Sequence, residues 1–395
     1  MSDAPDEVPY TLRILGGVRE VPRATWDGLL REDSSPFVEH AWLELLEDTG
    51  CVGEGTGWLP THLSLWRGTT LVAVAPSYLK GNSEGEFVFD WGWADLAQRM
   101  KLPYYPKVLV AVPFTPATGD RVLVAPGEDR ARVTRVLAGA ARQWCERAGA
   151  SSVHALFPRH EEAEAWQDAG YLLREGFQFH WFRDSATTFD DYLARFNSKQ
   201  RNQIKRELRG VREQGITLET LAPERYTVPL ARTMHGFYAS TVEKHGMWGR
   251  LYLKKAFFEG VVDRFRDRLA WVVARDAQGR PVAGAFNVQK GKYLYGRYWG
   301  ASVEVPYLHF AVCYYEGIRH ALERGLDVFE PGAGGEHKRA RGFLPTLTRS
   351  VHWIEDRRMH RVIEPWLERE RERVRAFIAA DGRDDDDEGV KESHG

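Results

Sequence analysis

A short glycine-rich segment near the carboxyl-terminal end of the sequence brings three reactive side chains together. Glu336, His337 and Lys338 directly follow the glycine-rich residues 332–335, and Arg341 comes three positions later. Glycine lets the backbone approach a ligand closely. A carboxylate can accept a proton, and a cation can stabilise negative charge that develops in a reaction. We expect Glu336 to act as a base and Lys338 with Arg341 to act as an anion clamp. The alternative is a structural ion-pair network at a turn.

His337 is the third catalytic candidate of this segment, and its role is the more ambiguous. In an extended chain, Glu336 and Lys338 share one face and His337 takes the other. All three can point the same way only if the turn continues. A lone histidine near a turn is also typical of a hydrogen-bonded structural residue.

An aromatic segment earlier in the chain supplies a second group of candidates. Tyr295, Arg297 and Tyr298 are close to the end of a predicted strand. Alternate strand residues face opposite sides, which predicts that Tyr295 and Arg297 share one face and Tyr298 takes the other. We expect all three to contact a substrate, although aromatic strands are also typical of a core. His309 and Tyr314, on the following predicted helix, are open to the same two interpretations.

A third group lies in the first half of the chain. Asp90 follows Phe89 in the segment FDWGWAD, and Lys107 follows the pair Tyr104 and Tyr105. Aromatic rings beside charged groups suit the binding of a sugar or a peptide, so we expect these residues to bind substrate. The alternative is a rigid aromatic core that contains one buried, paired aspartate.

A strongly basic segment connects the two halves of the sequence. Ile204, Leu208 and Val211 recur at helical spacing, and Asn197 or Ser198 can cap the helix start. The other face carries six cations and the segment has only two carboxylates, Glu207 and Glu213; the cations are Lys199, Arg201, Lys205, Arg206, Arg209 and Arg212. Such a face either is merely solvated or binds a phosphate-rich donor. We expect Lys205, Arg209 and Arg212 to contact that donor.

The elements that must position these residues recur in two halves. Hydrophobic periodicity and turn residues predict, in the first half, strands at 61–66, 70–79, 87–91, 154–157 and 172–182, and helices at 130–148 and 161–169. The second half has predicted strands at 269–275, 281–289, 292–299, 327–330 and 348–354, and a helix at 308–324. The common order, three antiparallel strands, a helix and further strands, indicates an internal repeat.

Composition excludes several classes of protein. The chain has 395 residues, more than one ordinary hydrophobic core, which favours two domains or two halves. With 43% hydrophobic residues, 28% charged residues and a net charge of −2, it is typical of a soluble globular protein. It has neither an apolar stretch long enough to span a membrane nor the pattern of a signal peptide, so we expect a cytoplasmic protein.

The sequence offers no motif for a metal or a nucleotide. Cys51, Cys145 and Cys313 are too far apart in sequence to indicate a disulfide framework or a zinc site. The histidines lack the spacing of metal ligands, and neither a phosphate-binding GxxxxGK[ST] loop nor a GxSxG nucleophile turn occurs.

Several segments together are similar to one known family. They are GWLPTHL (57–63), PSYLKGNSEGEFVFDWGWAD (76–95), LPYYPK (102–107), VPFTPATGDRVL (112–123), GFQFHW (176–181), YGRYWGA (295–301), LHFAVCYYEGI (308–318) and GGEHKRARGF (334–343). In their order and spacing, which cover roughly residues 35–375, the chain resembles the bacterial FemAB-like family of predicted peptidoglycan-associated N-acyltransferases.

This resemblance implies an α/β (α+β) fold made of two acetyltransferase-like (GNAT) halves, each a mixed, mainly antiparallel sheet with flanking helices. We expect a flexible tail at 1–10, halves at 11–185 and 216–380, a basic connecting helix region at 186–215, and a disordered acidic tail at 381–395. The co-substrate would be acyl-CoA or aminoacyl-tRNA, which makes tRNA a possible partner. The acceptor would be a primary amine of a small molecule, a peptide or a peptidoglycan-type compound.

Two observations leave the substrate open. Members of the family usually carry Glu, Gln and Gln where this chain has Ala311, Glu316 and Gly334. In addition, the segment 300–306 lacks the Gly/Arg signature of ordinary acetyltransferases, which weakens the case for CoA. The alternative to an enzyme is a non-catalytic GNAT-like module that recognises a peptide or a nucleic acid. The sequence does not indicate an oligomeric state.

Overall fold

The chain folds into two compact units, neither of which is continuous in sequence. The structure is a computed structural model that describes residues 9–244 and 250–391, apart from the side chains of Glu336 and of 381–391. Unit 1 takes the chain up to Gly176 and then Thr348–Ala376; unit 2 takes Phe177–Leu347 and the chain from Phe377 onwards. The predicted flexible tail at 1–10 lies mostly outside the described residues, and the predicted disordered tail at 381–395 does so from 392, whereas the backbone of 381–391 continues the last helix. Both tails stay predictions.

Unit 1 contains two sheets. Its strands are β1 (Thr11–Leu15), β2 (Trp58–Pro60), β3 (His62–Arg67), β4 (Thr70–Ala75), β5 (Ser77–Lys80), β6 (Lys107–Val110), β7 (Leu123–Val124), β8 (Ser152–Leu156), the first part of β9 (Leu172–Phe182) and the last part of β15 (Leu344–Ile354). One sheet has the antiparallel order β1-β3-β4-β7. The other has the order β2-β5-β6-β8-β15, in which β6 and β8 run parallel.

The helices of unit 1 pack their apolar faces against these sheets. They are α1 (Arg23–Asp27), α2 (His40–Asp48), α3 (Trp91–Arg99), α4 (Arg130–Arg147), α5 (His160–Asp168) and the first part of α12 (Arg357–Lys391). In α4, Val133, Leu137, Ala141 and Cys145 recur every four residues and are buried in the core of unit 1. Within the described residues, no helix is both long and apolar enough to cross a membrane.

Unit 2 is built on one sheet of six strands. Its own strands are β10 (Thr217–Thr220), β11 (Val272–Arg275), β12 (Pro281–Lys290), β13 (Tyr293–Ala301) and β14 (Val328–Glu330), and its helices are α6 (Phe189–Ala194), α7 (Ser198–Glu213), α8 (Val228–Lys244), α9 (Lys255–Arg264), α10 (Leu308–Phe310) and α11 (Glu316–Arg324). The order is β10-β11-β12-β13-β14-β9, and β13 and β14 run parallel. Gly300 lets α8 cross β13 closely, because a Cβ there would lie 1.7 Å from the Phe237 carbonyl oxygen.

The predicted order of elements from 269 to 330 is confirmed, whereas β10, α8 and α9 were not predicted. Strands β11, β12 and β13 are antiparallel neighbours, a helical segment follows, and β14 then pairs in parallel with β13. In the first half, β6 corresponds to β13. Like β13, it pairs in parallel with the strand that follows the main helix, which here is β8.

Two predictions for the first half are wrong. The strand predicted at 70–79 is divided at Pro76, which lacks a backbone N–H, and its two parts, β4 and β5, belong to different sheets. The strand predicted at 87–91 does not form, because Phe87 has a φ of 62° and helix α3 starts at Trp91. Trp93 and Ala97, four residues apart, are the buried positions of that helix.

The last strand, β15, also joins a different sheet from the one that the predicted repeat gave it. The predicted second half, 216–380, included this strand, but the structure pairs Ser350–Ile354 of β15 with Ser152–Leu156 of β8 in unit 1. The chain thus completes the mixed sheet of unit 1 only after it has formed nearly all of unit 2.

Candidate active site

In unit 2 the strands β13 and β14 separate where the glycine-rich segment begins. Their pairing covers Tyr293–Tyr295 and Val328–Glu330 only, whereas β13 continues to Ala301. After β14 the chain enters a 3₁₀ turn, Glu336–Arg341, flanked by Gly335 and Gly342 at φ values of 87° and 75°. These left-handed conformations strongly favour glycine. The turn therefore lies just beyond the carboxyl end of a parallel strand.

Lys338 closes this turn on its own backbone. Its Nζ donates hydrogen bonds to the carbonyl oxygens of Gly332, at 2.7 Å, and Ala333, at 3.4 Å. The side chain is buried, and this burial lowers the pKa of Lys338 to about 8. Most of the ammonium therefore stays charged at neutral pH, and it brings positive charge to the base of the turn.

Arg341 is held by a carboxylate that the sequence interpretation placed among the charges of the basic helix. Its Nη2 lies 2.8 and 2.9 Å from the two carboxylate oxygens of Glu207, which is buried on the inner side of α7. Tyr315 also donates to Glu207, and the Arg341 guanidinium covers the Phe310 ring at 3.4 Å. This geometry favours a positioning role for Arg341 over the predicted anion clamp.

His337 contacts a cluster of aromatic side chains from the helical segment after β13. Its Nε2 forms a 2.9 Å hydrogen bond with the Tyr314 hydroxyl, and its ring centroid lies 5.8 Å from that of His309. Burial, with the nearby charges of Arg341 and Lys338, lowers the pKa of His337; similar causes lower the pKa of His309 to about 4. Both imidazoles are therefore neutral near pH 7 and able to accept a proton. The side chain of Glu336 lies outside the described residues, so its role stays a prediction.

An apolar cavity of about 480 Å³ adjoins this cluster. It is lined by Ser240, Thr241, Lys244, Trp299, Ala301, Val303, Glu304, Val305, Pro306, Tyr307, Leu308, His309 and Phe310. His309 and Phe310 also contact His337, so one wall of the cavity belongs to the His337 cluster. The volume is within the usual range of ligand sites.

The backbone at this wall departs from the regular helix predicted at 308–324. Residues Ala311–Tyr315 form a π turn between α10 and α11, and Tyr307, just before α10, has a φ of 66°. Such π turns and strained residues occur frequently at functional sites. Two departures from the family pattern, Ala311 and Glu316, lie at the two ends of this turn, and no sequence signal predicted it.

The aromatic candidates on β13 do not follow the predicted alternation. A bulge leaves Arg297 as an extra residue, since Phe286 pairs with Tyr298 and Asn287 with Gly296. The Arg297 guanidinium accordingly lies over the Tyr298 ring, at 5.4 Å, and burial lowers the pKa of Arg297. Tyr295 is buried beside Tyr293, and the Tyr298 ring contacts Tyr238 of α8. The prediction that Arg297 and Tyr298 face opposite ways is therefore wrong.

Two buried residues near the strand separation were missed by the sequence interpretation. His180 on β9 and Glu330 at the end of β14 are buried, with Nε2 and Oε2 3.9 Å apart. This distance is too long for a hydrogen bond but short enough for an ionic contact if the imidazole is protonated. Burial, with the charge of Lys338, lowers the pKa of His180 to about 3. The position of Glu330 directly after an apolar strand is the signal that could have identified it.

The candidates of unit 1 come together in its interior. Lys107 donates to Asp90, to Glu86 at 2.8 Å and to Ser83 at 2.9 Å, and Tyr104 also donates to Asp90. Lys107 and Asp90 are buried, which matches the buried, paired aspartate rather than an open substrate site. Tyr105 alone of the four candidates is partly exposed, and its hydroxyl bonds to Ser83.

Asp90 should make the stability of unit 1 depend on pH. Burial alone would raise its pKa, but Lys107 and His154 lower it to about 2, below its unfolded value. Asp90 therefore stabilises the fold above about pH 4, and this contribution is lost as the pH falls toward 2. We expect Asp90→Asn to lower the free energy of unfolding at pH 7 by about 2 kcal/mol and to flatten its acid dependence. Urea unfolding at pH 3, 5 and 7 tests this, with exposed Asp95→Asn as the control. Equal losses for both variants would contradict it.

The basic helix α7 presents its cations to solvent. Asn197 caps it, as expected, and its side chain accepts from the Gln200 amide. Lys205, Arg209 and Arg212 are exposed, whereas Glu207 faces inward. Among the described residues, the exposed face of α7 has one ion pair, in which Arg209 lies 3.7 Å from Glu213. The Tyr307 ring would lie 3.4 Å from a Cβ at Gly210, so α7 runs beside the wall of the apolar cavity.

No group of three histidine, cysteine or acidic side chains in the described part of the chain is arranged to hold a metal ion.

Comparison with known proteins places the chain in a family. A sequence model of the FemAB-like family, described as peptidoglycan biosynthesis/recognition, matches residues 17–384. The chain therefore belongs to the FemAB-like family, as its motifs predicted. No match was found among curated proteins.

Solved structures support the fold. The crystal structure of FemX is 14% identical, covers 87% of this chain and 98% of its own, and gives a TM-score of 0.51. The C-terminal domain of a putative lysylphosphatidylglycerol synthetase from Agrobacterium fabrum is 12% identical, with coverages of 87% and 95% and a TM-score of 0.51. A tandem GNAT protein from the clavulanic acid pathway is 15% identical, with coverages of 87% and 98% and a TM-score of 0.44. The predicted mixed, mainly antiparallel sheets with flanking helices are confirmed by the strand order and pairing.

Proposed function

We propose that the chain is an N-acyltransferase that moves an acyl or aminoacyl group from acyl-CoA or aminoacyl-tRNA to a primary amine. The acceptor is a small molecule, a peptide or a peptidoglycan-type compound, and the family description favours the last of these. The apolar cavity, which shares a wall with the neutral His337, is the observation that carries this proposal.

The reaction needs a neutral amine and a polarised carbonyl. The amine nitrogen attacks the carbonyl carbon, a C–N bond forms, and the C–S bond of a thioester or the C–O bond of an ester breaks. The proton that the amine loses passes to a base and then to the leaving thiol or hydroxyl. An α-amine has a pKa of about 7.8, whereas a lysine amine at about 10.4 costs about 3.5 kcal/mol more to deprotonate. A lysine-like acceptor therefore requires a base.

The 3₁₀ turn supplies the groups for this chemistry. His337 is neutral and next to the cavity wall, so we assign it the role of proton acceptor; Glu336 stays the alternative base predicted from sequence. Lys338 stabilises the oxyanion of the tetrahedral intermediate, with its charge held at the turn by the carbonyls of Gly332 and Ala333. Arg341 acts as a positioning residue through Glu207.

In this proposal the acyl group of the donor lies in the cavity, and the phosphates of the donor contact the cations of α7. The cavity is mostly apolar, which suits an acyl or aminoacyl side chain, and α7 runs beside it with exposed cations. Acyl-CoA and aminoacyl-tRNA are both anionic, so the cationic face of α7 alone does not distinguish them.

A direct test is a search for new amides. The full-length protein is incubated with either mixed aminoacyl-tRNAs or a set of acyl-CoAs, together with amines of lysine-containing peptides and peptidoglycan precursors, and products are identified by mass spectrometry. An amide that forms with wild-type protein and not with His337→Gln supports the proposal. If no donor yields an amide, the proposed activity is wrong.

The exposed cations of α7 should contribute to donor binding and not to folding. We expect the triple variant Lys205→Gln, Arg209→Gln and Arg212→Gln to weaken donor binding and to reduce the salt dependence of tRNA binding by up to about three units of slope. The melting temperature should hardly change, because exposed charges contribute little to stability.

The matched control for this variant places the same three charge changes on the exposed face of α4, at Arg132, Arg135 and Arg147. This control should bind the donor as wild type does. A sharp fall in melting temperature with unchanged donor binding would show that the face of α7 is structural.

A non-catalytic module is the second candidate, and the exposed cationic face of α7 is the observation that favours it. In that case the protein binds RNA with a steep salt dependence and forms no amide with any donor. Binding titrations at several salt concentrations, run beside the amide search, distinguish the two functions.

A further inference from the structure

We propose that unit 1 carries a second ligand site, which binds a flat aromatic molecule with an acidic group. The site is the hollow between α3 and the first part of α12, here called the aromatic hollow, and its volume is about 430 Å³. Its lining includes Phe89, Trp93, Arg99, Arg174, Trp366 and Arg369. All of these residues belong to unit 1, and the proposal does not depend on the transfer reaction.

The floor of the aromatic hollow is apolar and electrically balanced. Trp93 and Trp366 meet edge to face, and the Arg174 guanidinium lies 5.3 Å from both ring centroids. Glu370 neutralises Arg174 through contacts of 2.8 and 2.9 Å. The floor thus offers aromatic surface to a ligand, and its own cation is already paired.

The exposed ring of Phe89 lines the hollow, and the ring of Trp91 packs against it from outside the lining. Phe89 and Trp91 are 58% and 52% exposed, and their ring centroids lie 4.8 Å apart. Val362, on the α12 side, is 50% exposed. When a flat apolar ligand covers neighbouring exposed rings, the burial of apolar surface and the contact between rings favour binding. Such clustering of large exposed apolar residues commonly marks a binding surface.

The rim adds a charge preference. Arg99 and Arg369 are exposed, line the hollow from α3 and α12, and form no ion pair with any described carboxylate. Guanidinium groups recognise carboxylates and phosphates through paired hydrogen bonds. A hollow that offers aromatic rings on its floor and two guanidiniums on its rim therefore selects a ligand that combines an aromatic ring with an anionic group.

The experiment compares three probes on the full-length protein by ligand-detected NMR and calorimetry: 2-naphthoate, its neutral analogue 2-naphthamide, and inorganic phosphate. We expect 2-naphthoate to bind about tenfold more tightly than 2-naphthamide, and phosphate alone to bind weakly. Each tenfold step corresponds to about 1.4 kcal/mol. Equal binding of the two naphthalene probes, or no binding of 2-naphthoate, overturns the proposal.

Variants locate the probe. The double variant Arg99→Gln with Arg369→Gln should remove the preference for 2-naphthoate. The double variant Phe89→Ala with Trp91→Ala should weaken the binding of both naphthalene probes. The two arginines are exposed, so their variant should melt as wild type does. The ring variant loses the buried part of two side chains and should melt lower, so its binding is measured well below its melting temperature. Arg361→Gln, an exposed position of α12 outside the lining, is the matched control and should bind as wild type does.

Two further results would contradict the assignment. One is 2-naphthoate binding that none of these variants changes. The other is the absence of probe binding together with attachment to phosphatidylglycerol vesicles that Trp91→Ala abolishes, which would make the exposed rings a membrane-surface contact.

Discussion

His337→Gln should lower the turnover of the proposed transfer by about 10²- to 10⁴-fold at neutral pH. The basis is the usual contribution of a positioned general base. His337 is neutral near pH 7 because burial and nearby cations lower its pKa, and its hydrogen bond to Tyr314 orients the ring. Glutamine keeps the polarity and much of the size of the side chain, but it cannot accept the proton of the amine.

The pH profile separates a lost base from a damaged fold. Wild-type turnover should reach its plateau once the pH exceeds the lowered pKa of His337, so it should change little above about pH 6.5. The variant should instead gain activity up to the pKa of the amine, about 8 to 10, where the amine loses its proton without help. Steady-state rates from pH 5 to 10, with the donor and acceptor found in the amide search, supply both curves.

Glu336→Gln and His160→Gln complete the test. His160 is an exposed histidine of unit 1, and its replacement should leave turnover unchanged. If Glu336→Gln shows the large loss and the rescue at high pH while His337→Gln keeps wild-type turnover, the base is Glu336. Unchanged turnover in both Glu336→Gln and His337→Gln would show that the 3₁₀ turn takes no part in proton transfer.

Arg341→Met should destabilise unit 2 by about 3 to 5 kcal/mol. Removal of one partner of a buried ion pair leaves the other charge without compensation. Glu207 is 2% exposed, and among the described residues Tyr315 and Gln203 are the donors that remain to it after the substitution. Methionine occupies a similar volume, so the loss reports on charge more than on packing.

A double variant isolates the ion pair. Replacement of both Glu207 and Arg341 by methionine removes both charges, and we expect it to recover most of the stability lost in the single variant. Urea unfolding followed by tryptophan fluorescence measures all three proteins, with exposed Arg209→Gln as the control. If the double variant is as unstable as Arg341→Met, the hydrogen bonds or the packing of Arg341 matter more than its charge.

The sequence predicted the order of the strands β11 to β14 because they are separated by clear turns, such as Gln278-Gly279 and Gly291, but it did not predict β10, α8 and α9. It failed at 87–91, where an apolar run that reads as a strand ends at Asp90 and Trp91 starts helix α3 instead. Local patterns also cannot show which sheet a strand joins, so β15 was placed with its neighbours in sequence and not with β8.

The candidate site was predicted as a place more than as a set of roles. The 336–341 turn was identified because its glycines and charges are adjacent in sequence. Glu207 was counted only as one of two carboxylates in the basic segment, although its spacing from Ile204 and Val211 puts it on the buried stripe of α7. His180 and Glu330 come from β9 and β14, far apart in sequence, so only the sheet brings them together. The π turn at Ala311–Tyr315 left no recognisable pattern.

The position of β15 has a consequence for synthesis on the ribosome. One edge of strand β8 pairs with the earlier strand β6, but the other edge meets β15 only after roughly 190 further residues have been made, which takes about 10 to 40 seconds at about 5 to 20 residues per second. During that interval the nascent chain exposes an unpaired strand edge, the kind of surface that recruits other strands. Slow or interrupted translation of the last 50 or so residues should therefore favour aggregation, and a chaperone that shields β8 should raise the yield of folded protein.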